Sequence, residues 1–144
     1  MIIRTWKYAD ILRISELEKE CFPDEPWSFQ LLVSSFECDV FRGVLAEDGG
    51  EIVGYGSITL TCDTADIANI AVTEAFRHSG VGSSILSELL AVAKSQGAKK
   101  VFLEVRVSNS AAMSLYLKNG FKGVYARTRY YSNGEDCIVM AKEL

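Results

Sequence analysis

The stretch from Ala68 to Gln96 constrains the fold most, because it reads as a strand, a glycine-containing loop and a helix in immediate succession. The apolar run Ile67–Val72 predicts the strand, and apolar residues at helical spacing after Gly82 predict the helix. Gly80 and Gly82 let the loop backbone approach a ligand, while the first helical turn presents unpaired N–H groups at the positive end of its dipole. The segment therefore predicts an anion site that would suit a pyrophosphate.

Length and composition indicate one α/β domain over residues 1–144, since 49% of the residues are hydrophobic and two prolines, no repeat and no low-complexity tract occur. No apolar run approaches the ~20 residues of a membrane span. The N-terminus enters a strand pattern directly instead of a signal peptide, which predicts a cytoplasmic protein without a membrane partner. The net charge of −4 argues against nucleic-acid binding and fits weakly with a cationic substrate.

The four cysteines are scattered, with no C-x-x-C pair and a single histidine to join them. This pattern predicts no metal site, and we interpret the cysteines as reduced thiols, some of them in the core.

The remaining elements follow from periodicity and from turn and cap residues. The loop between Gly97 and Lys100 leads into a strand parallel to Ile67–Val72, which implies a right-handed helical crossover and a ligand at the carboxyl ends of both strands. Two segments joined by Asp48-Gly49-Gly50 predict an antiparallel hairpin. The predicted strands are Ile2–Trp6, Phe41–Glu47, Glu51–Thr61, Ile67–Val72, Lys100–Val107, Phe121–Arg129 and Cys137–Lys142, and the predicted helices are Asp10–Cys21, Ser28–Phe36, the helix after Gly82, and Ser110–Asn119.

The segment Phe22–Ser28 is aromatic and rigid, because it carries two prolines and ends at a good helix N-cap, Ser28. Two interpretations stay open. The segment is either a helix connection whose aromatic residues lie in the core or one wall of an acceptor site.

The loop lacks the Lys-Ser/Thr of a Walker motif and the third glycine of a dinucleotide fingerprint. Its spacing, Arg77-x-x-Gly80-x-Gly82 after a strand ending I-A-V, instead resembles the acyl-CoA loop of the GCN5-related N-acetyltransferases (GNAT superfamily). The segment Leu103–Phe121 resembles the second signature of that family almost throughout. The resemblance implies acetyl-CoA as cofactor and a GNAT fold: a mixed central sheet of six to seven strands with a parallel pair splayed at a bulge, flanked by about four helices.

The resemblance also implies how the cofactor is held. The backbone of Ile70 and Val72 would pair with the pantetheine amides, and the N–H of Val72 would bind the thioester carbonyl. Arg77 is either a pyrophosphate contact or a surface arginine, and we interpret His78 as solvated or phosphate-facing. Asn109 would contact the cofactor, with a helix cap as the alternative. The predicted cofactor-binding residues are Ile70, Ala71, Val72, Arg77, His78, Ser79, Gly80, Val81, Gly82, Ser83 and Asn109.

Two residues are candidates for proton transfer. Glu104 lies in an otherwise apolar strand, where burial would raise its pKa and suit it to act as a general base, directly or through water. The alternative is a structural glutamate that is exposed or paired with Arg106. Tyr116 matches the family tyrosine that points at the sulfur, where a phenol could protonate the leaving thiolate. Its alternative is a core aromatic residue.

Three segments, C-F-P-D-E-P-W-S, L-E-V-R-V-S-N and R-Y-Y-S-N-G-E-D-C-I-V-M, resemble the bacterial ribosomal-protein alanine N-acetyltransferases (RimI type). The loop departs from that pattern at R-H-S, and A-R-T-R precedes Tyr130 where R-R-N is common. The resemblance implies acetylation of the α-amine of a small-subunit ribosomal protein. A small-molecule amine acetyltransferase and a non-catalytic CoA-binding module are the alternatives, and no oligomeric state follows from the sequence.

Overall fold

A computed structural model describes all residues, 1–144. The strands and helices alternate along the chain largely as predicted, and two short 3-10 turns, at Tyr8–Asp10 and Glu74–Phe76, were not foreseen. The strands are β1 (Ile2–Thr5), β2 (Phe41–Asp48), β3 (Glu51–Thr61), β4 (Thr64–Val72), β5 (Lys100–Arg106), β6 (Lys122–Arg127) and β7 (Cys137–Glu143), and the helices are α1 (Ile11–Cys21), α2 (Phe29–Phe36), α3 (Val81–Ser95) and α4 (Ser110–Lys118).

The seven strands form one sheet in the order β1-β2-β3-β4-β5-β7-β6. Every neighbouring pair is antiparallel except β4 and β5, which are parallel and joined through α3. The predicted mixed sheet with one parallel pair and four helices is therefore confirmed. β4 begins at Thr64, earlier than predicted, because Asp66 breaks the apolar pattern although its backbone pairs with both neighbouring strands.

Two hydrophobic clusters cover opposite faces of the sheet. The larger cluster joins α3 to β4, β5 and β7 and includes Ile85, Leu89 and Leu103. The smaller cluster packs α1 and α2 over β2, β3 and the end of β4, around Trp6 and Leu45. No residue of β5, β6 or β7 belongs to the smaller cluster, so this cluster does not extend over these strands. None of the four helices has the length and apolar character that crossing a bilayer requires.

Helix starts follow the predicted signals. The Ser28 hydroxyl accepts a hydrogen bond from the Leu31 N–H at 3.1 Å and caps α2, as its sequence indicates. At the start of α1 the Asp10 carboxylate accepts from the Lys7 N–H at 2.7 Å and from Arg4, whose hydrogen bond lowers the pKa of Asp10. These contacts fix the connection between β1 and the first helix.

A buried carboxylate that the sequence pattern does not reveal connects α1 to the aromatic segment. Glu18 is 2% exposed, and its two oxygens accept hydrogen bonds from the Tyr55 hydroxyl at 2.7 Å and from the Trp27 N–H at 2.8 Å. Burial, with the Glu18 charge beside it, raises the pKa of Tyr55. Glu18 therefore holds the segment after Cys21 against the sheet.

Glu18→Ala should lower the free energy of unfolding by about 2 to 3 kcal/mol, because the buried Tyr55 hydroxyl and Trp27 N–H would both lose their acceptor. Urea unfolding followed by fluorescence measures the loss. Glu16→Ala, an exposed position on the same helix, is the matched control and should change stability by less than about 0.5 kcal/mol. Equal stabilities for the two variants would contradict this role for Glu18.

Candidate active site

A gap in the sheet opens where β4 and β5 separate. Their pairing ends at Ile67 and Leu103. Immediately beyond, Ile67 and Ile70 of β4 pair with Ile58 and Gly56 of β3. Between these two pairs β4 therefore carries one residue more than β3. This is the predicted β-bulge. It turns the last residues of β4 away from β5 and leaves one edge of β4 unpaired.

Backbone groups of β4 point into this gap. The Thr73 N–H donates to the Val53 carbonyl at 2.9 Å, toward β3. Because peptide groups alternate sides along a strand, the groups of Val72 and Ile70 point away from β3. The Val72 carbonyl indeed accepts from Arg77 Nε at 2.9 Å and lies 4.0 Å from Cys21 Sγ. The N–H groups of Ile70 and Val72 are therefore free to bind a ligand in the gap.

The loop before α3, the predicted anion cradle, has the backbone features that an anion site needs. His78 and Gly80 both have positive φ, 61° and 87°. No backbone N–H from His78 to Ser83 donates a hydrogen bond within the protein, and no side chain caps the helix. Six consecutive donors thus lack a partner within the protein at the positive end of a fifteen-residue helix. This arrangement fits a pyrophosphate.

A cavity of about 790 Å³ connects the cradle to the gap in the sheet. All the predicted cofactor-binding residues line it except Ser79, whose hydroxyl bonds to the Phe76 carbonyl, and Val81, whose side chain packs in the core. Arg77 lies at its edge but is bonded to Val72 and lies 3.9 Å from Cys21 Sγ. The lining residues from the predicted set are Ile70, Ala71, Val72, Arg77, His78, Gly80, Gly82, Ser83 and Asn109.

Asn109 lies where this cavity meets a second one. Its side-chain oxygen accepts from the Ala112 N–H at 3.1 Å and caps α4, so the alternative interpretation of a helix cap describes its bonding. The residue lines both cavities as well. Capping and a cofactor contact are therefore compatible at this position.

The second cavity, of about 960 Å³, has walls from two loops. One wall is the aromatic segment, of which Phe22 and Trp27 also pack against the smaller core cluster. The segment therefore packs against the core and also lines a cavity, and its use as the wall of an acceptor site stays a prediction. The other wall is the loop between β6 and β7, which contributes Tyr130 and Tyr131.

The two walls are bridged by polar contacts. The Glu25 carboxylate accepts from the N–H of Ser132 at 3.0 Å and from its hydroxyl. Arg106 lies 3.1 Å from Glu135 and 3.9 Å from Glu25, and its guanidinium stacks 4.0 Å from the centre of the Tyr131 ring. The loops are therefore connected across the cavity.

Three acidic residues of these loops, Glu25, Glu135 and Asp136, are each engaged by neighbouring groups. Hydrogen bonds from Ser132 lower the pKa of Glu25, and those from Ser108, Asn133 and Arg106 lower the pKa of Glu135 to about 2. The Asp136 carboxylate accepts from the Arg129 N–H at 3.0 Å and does not line the cavity.

Glu104 lines the second cavity at the edge of the gap. Its predicted burial is wrong, because the side chain is 39% exposed. The exposed glutamate of the alternative interpretation is therefore confirmed, whereas Arg106 is not its partner. The carboxylate lies 3.5 Å from Arg127 Nε and accepts a hydrogen bond of 3.4 Å from the Tyr130 hydroxyl.

Tyr116 lies on α4 and lines both cavities. The residue is 5% exposed, its ring packs edge-on against Phe121, and its hydroxyl makes no hydrogen bond within the protein. Burial raises the pKa of Tyr116 to about 12. The core aromatic interpretation therefore describes the ring, while the protonated hydroxyl is left to a ligand.

Sequence reasoning missed Cys21 and Arg127 as neighbours of the site and considered Arg106 only as a partner of Glu104. The alternation of β5 would have predicted that Arg106 shares a face with Glu104. No local signal predicts that Cys21 reaches both cavities, because its place depends on how α1 packs on β4.

Comparison with known proteins agrees with this geometry. The sequence model of the Acetyltransferase (GNAT) family matches residues 11–121. The ribosomal protein bS18-alanine N-acetyltransferase of Haemophilus influenzae is 33% identical over 97% of both chains, and an N-alpha-acetyltransferase of Sulfurisphaera tokodaii is 32% identical over 99% of this chain and 92% of that protein.

A solved structure extends the likeness to three dimensions. The ribosomal-protein-S18-alanine N-acetyltransferase of Escherichia coli superposes with a TM-score of 0.90 at 28% identity, covering 99% of this chain and 92% of that one. The fold, the anion cradle and the matched family model lead to one conclusion: this chain is an acetyltransferase of the GNAT family, whose acetyl donor is acetyl-CoA.

Proposed function

We propose that residues 1–144 act as a single domain that transfers an acetyl group to the α-amine of a protein N-terminus. The substrate is the N-terminal alanine of a small-subunit ribosomal protein, and the reaction takes place in the cytoplasm. Relatives named as N-alpha-acetyltransferase and as bS18-alanine N-acetyltransferase, each more than 30% identical, support this choice of acceptor.

One observation carries the proposal: Tyr116 lines both cavities, at the point where they meet. The cavity that contains the anion cradle suits the donor, and the other cavity, between the two loops, suits an acceptor. Glu104 lines the second cavity only, so both candidates for proton transfer border the cavity assigned to the acceptor. That arrangement supports direct transfer from donor to amine without a covalent enzyme intermediate.

The residues present fit acetyl-CoA, which supplies the acetyl group as a thioester. The free N–H groups from His78 to Ser83 would hold the pyrophosphate. Those of Ile70 and Val72 would pair with the pantetheine arm, and the Val72 N–H would stabilise negative charge on the carbonyl oxygen during transfer. Arg77 would either exchange its hydrogen bond to the Val72 carbonyl for a phosphate contact or keep that bond and hold the end of β4 in place.

Proton movement is assigned to two side chains. Glu104 takes the proton of the attacking amine on a carboxylate oxygen, directly or through a water molecule. Tyr116 donates the proton of its hydroxyl toward the departing sulfur. With a pKa of about 12 the phenol stays protonated across the physiological range, as a proton donor must.

The proton energetics favour an α-amine. At pH 7 an α-amine of pKa ~8 costs roughly 1.4 kcal/mol to deprotonate, whereas a lysine of pKa ~10.4 costs roughly 4.6 kcal/mol. Glu104, a single exposed carboxylate, therefore removes the proton of an α-amine more readily than that of a lysine. Asp24, Glu25, Glu104 and Glu135 outnumber the single arginine of the cavity lining, which favours a cationic acceptor over an acidic one.

At pH 7 a peptide beginning with alanine should be acetylated at least about a hundredfold faster than its N-terminally blocked form carrying an internal lysine, in line with the ~2.4-unit difference in amine pKa. Mass spectrometry of both peptides, and of a polyamine, measures the rates. Glu104→Gln is the control, and it should slow the free peptide most at low pH, where proton removal is hardest. Equal rates for the blocked peptide or the polyamine would instead identify a side-chain or small-amine acetyltransferase.

A further inference from the structure

The Glu104 carboxylate is contacted from two directions by residues outside its own strand. Oε2 faces Arg127 Nε at 3.5 Å and Cys137 Sγ at 3.8 Å. Oε1 accepts only from the Tyr130 hydroxyl, at 3.4 Å. Oε2 is thus held by residues of β6 and β7. Oε1 contacts only Tyr130, a residue that also lines the acceptor cavity.

Arg127 is itself fixed in place. It projects from the edge strand β6, where its register partner is Cys137, and its Nη2 donates to the Tyr125 hydroxyl at 3.1 Å. Its guanidinium also stacks on two rings, 5.7 Å from the centre of Tyr125 and 5.3 Å from that of Tyr130. An arginine with three such contacts loses little further side-chain entropy when it binds a carboxylate.

We propose that Arg127 is a positioning residue for the acetyl transfer: it holds Oε2 of Glu104 in the ionised carboxylate and so turns Oε1 toward the acceptor amine. The inference rests on the proposed role of Glu104 as the base. In it, the acceptor amine or its bridging water replaces the Tyr130 hydroxyl on Oε1. Arg127 lines neither cavity and acts only through Glu104.

The other charged and titratable groups around Glu104 cannot substitute for Arg127. Tyr130 and Tyr131 from the β6–β7 loop and Cys137 from β7 are neutral donors at physiological pH, and the Glu104 charge raises the pKa of Tyr130 above its ordinary value. Asp66 on β4 carries the same charge as Glu104 and cannot hold its carboxylate. Arg106, on the same strand, is engaged by Glu25 and Glu135.

The direct test follows the titration of Glu104 by NMR in protein carrying ¹³C-labelled glutamate, with Glu104→Gln to assign the signal. In Arg127→Gln the titration midpoint should rise by about half a pH unit, the size that a partly exposed ion pair supports. Arg127→Lys keeps the charge and should retain most of the parental midpoint. Arg129→Gln removes the same charge two residues away and should leave it unchanged. An unchanged midpoint in Arg127→Gln overturns the proposal.

The rate of acetylation gives the second readout. Arg127→Gln should lower kcat about fivefold on whichever amine the parent enzyme acetylates, while the KM for acetyl-CoA stays unchanged. The acid limb of its pH–rate profile should move to higher pH together with the NMR midpoint. A moved midpoint with parental kcat would overturn the positioning role. If the midpoint and kcat move but only lysine or polyamine is acetylated, Arg127 keeps its role and the proposed α-amine acceptor fails.

Discussion

Replacing Tyr116 by Phe is expected to lower kcat by at least about a hundredfold while the Kd of acetyl-CoA changes by less than about threefold. The variant removes one oxygen atom at the point where the two cavities meet. Because that hydroxyl makes no hydrogen bond within the protein, its loss leaves no buried partner unsatisfied. The ring keeps its packing against Phe121, so the fold should be unaffected. Stopped-flow or steady-state acetylation assays and calorimetry of acetyl-CoA binding measure the two constants.

The raised pKa of Tyr116 adds an alkaline signature to this prediction. Because burial raises the pKa of the phenol to about 12, the parent enzyme should retain its kcat at pH values well above 10. An ordinary tyrosine would have ionised there. Tyr8→Phe is the matched control, because Tyr8 is exposed and lines neither cavity. A kcat for Tyr116→Phe within twofold of the parent would remove Tyr116 from the mechanism.

The strand, loop and helix at the centre of the chain were predictable because their signals are local. Gly80 and Gly82 mark a backbone that must adopt positive φ or admit a ligand, and the apolar spacing of α3 predicts the face that packs in the core. The hairpin turn at Asp48 to Gly50 and the Ser28 cap are equally local. Such features depend on a few neighbouring residues, so the sequence displays them without tertiary information.

The environment of Glu104 was not predictable in the same way. In β5 the residues Val101, Leu103 and Val105 face the larger cluster, and Glu104 lies on the other face. Whether that face is covered depends on where α1 and α2 pack, and they lie over β2, β3 and the end of β4 instead. An apolar run therefore predicted burial for a side chain that the three-dimensional arrangement leaves open.

The acceptor side of the site depends on contacts between distant loops. Glu25 meets Ser132, and Arg106 meets both Glu25 and Glu135, across more than a hundred residues of sequence in the first case. Nothing local distinguishes these acids from solvated surface residues. The sequence could propose the segment Phe22–Ser28 as one wall, but the charge pairs that join it to the other loop required the fold.

Gly82→Val is expected to weaken CoA binding by more than about a hundredfold without lowering stability. Gly82 lies in the first turn of α3 and lines the donor cavity, so a branched side chain would enter the space that the pyrophosphate needs. A Cβ there would lie 3.4 Å from Leu115 and 3.8 Å from Val72, which are ordinary contacts that demand no movement. Valine also has a higher helix propensity than glycine, so the substitution should not destabilise α3. Isothermal calorimetry and thermal unfolding measure the two effects.

Gly82 tests the cradle more cleanly than Gly80 does. Gly80 has a φ of 87°, so any side chain there would strain the backbone, and a loss of binding could not be assigned to the ligand space alone. Gly82→Ala should give a smaller loss than Gly82→Val, because only the Cβ enters. Gly123→Val, on β6 and outside both cavities, should bind CoA as the parent does. If Gly82→Val also bound CoA with parental affinity, the pyrophosphate would have to lie elsewhere, and the free N–H groups from His78 to Ser83 would lose their assigned ligand.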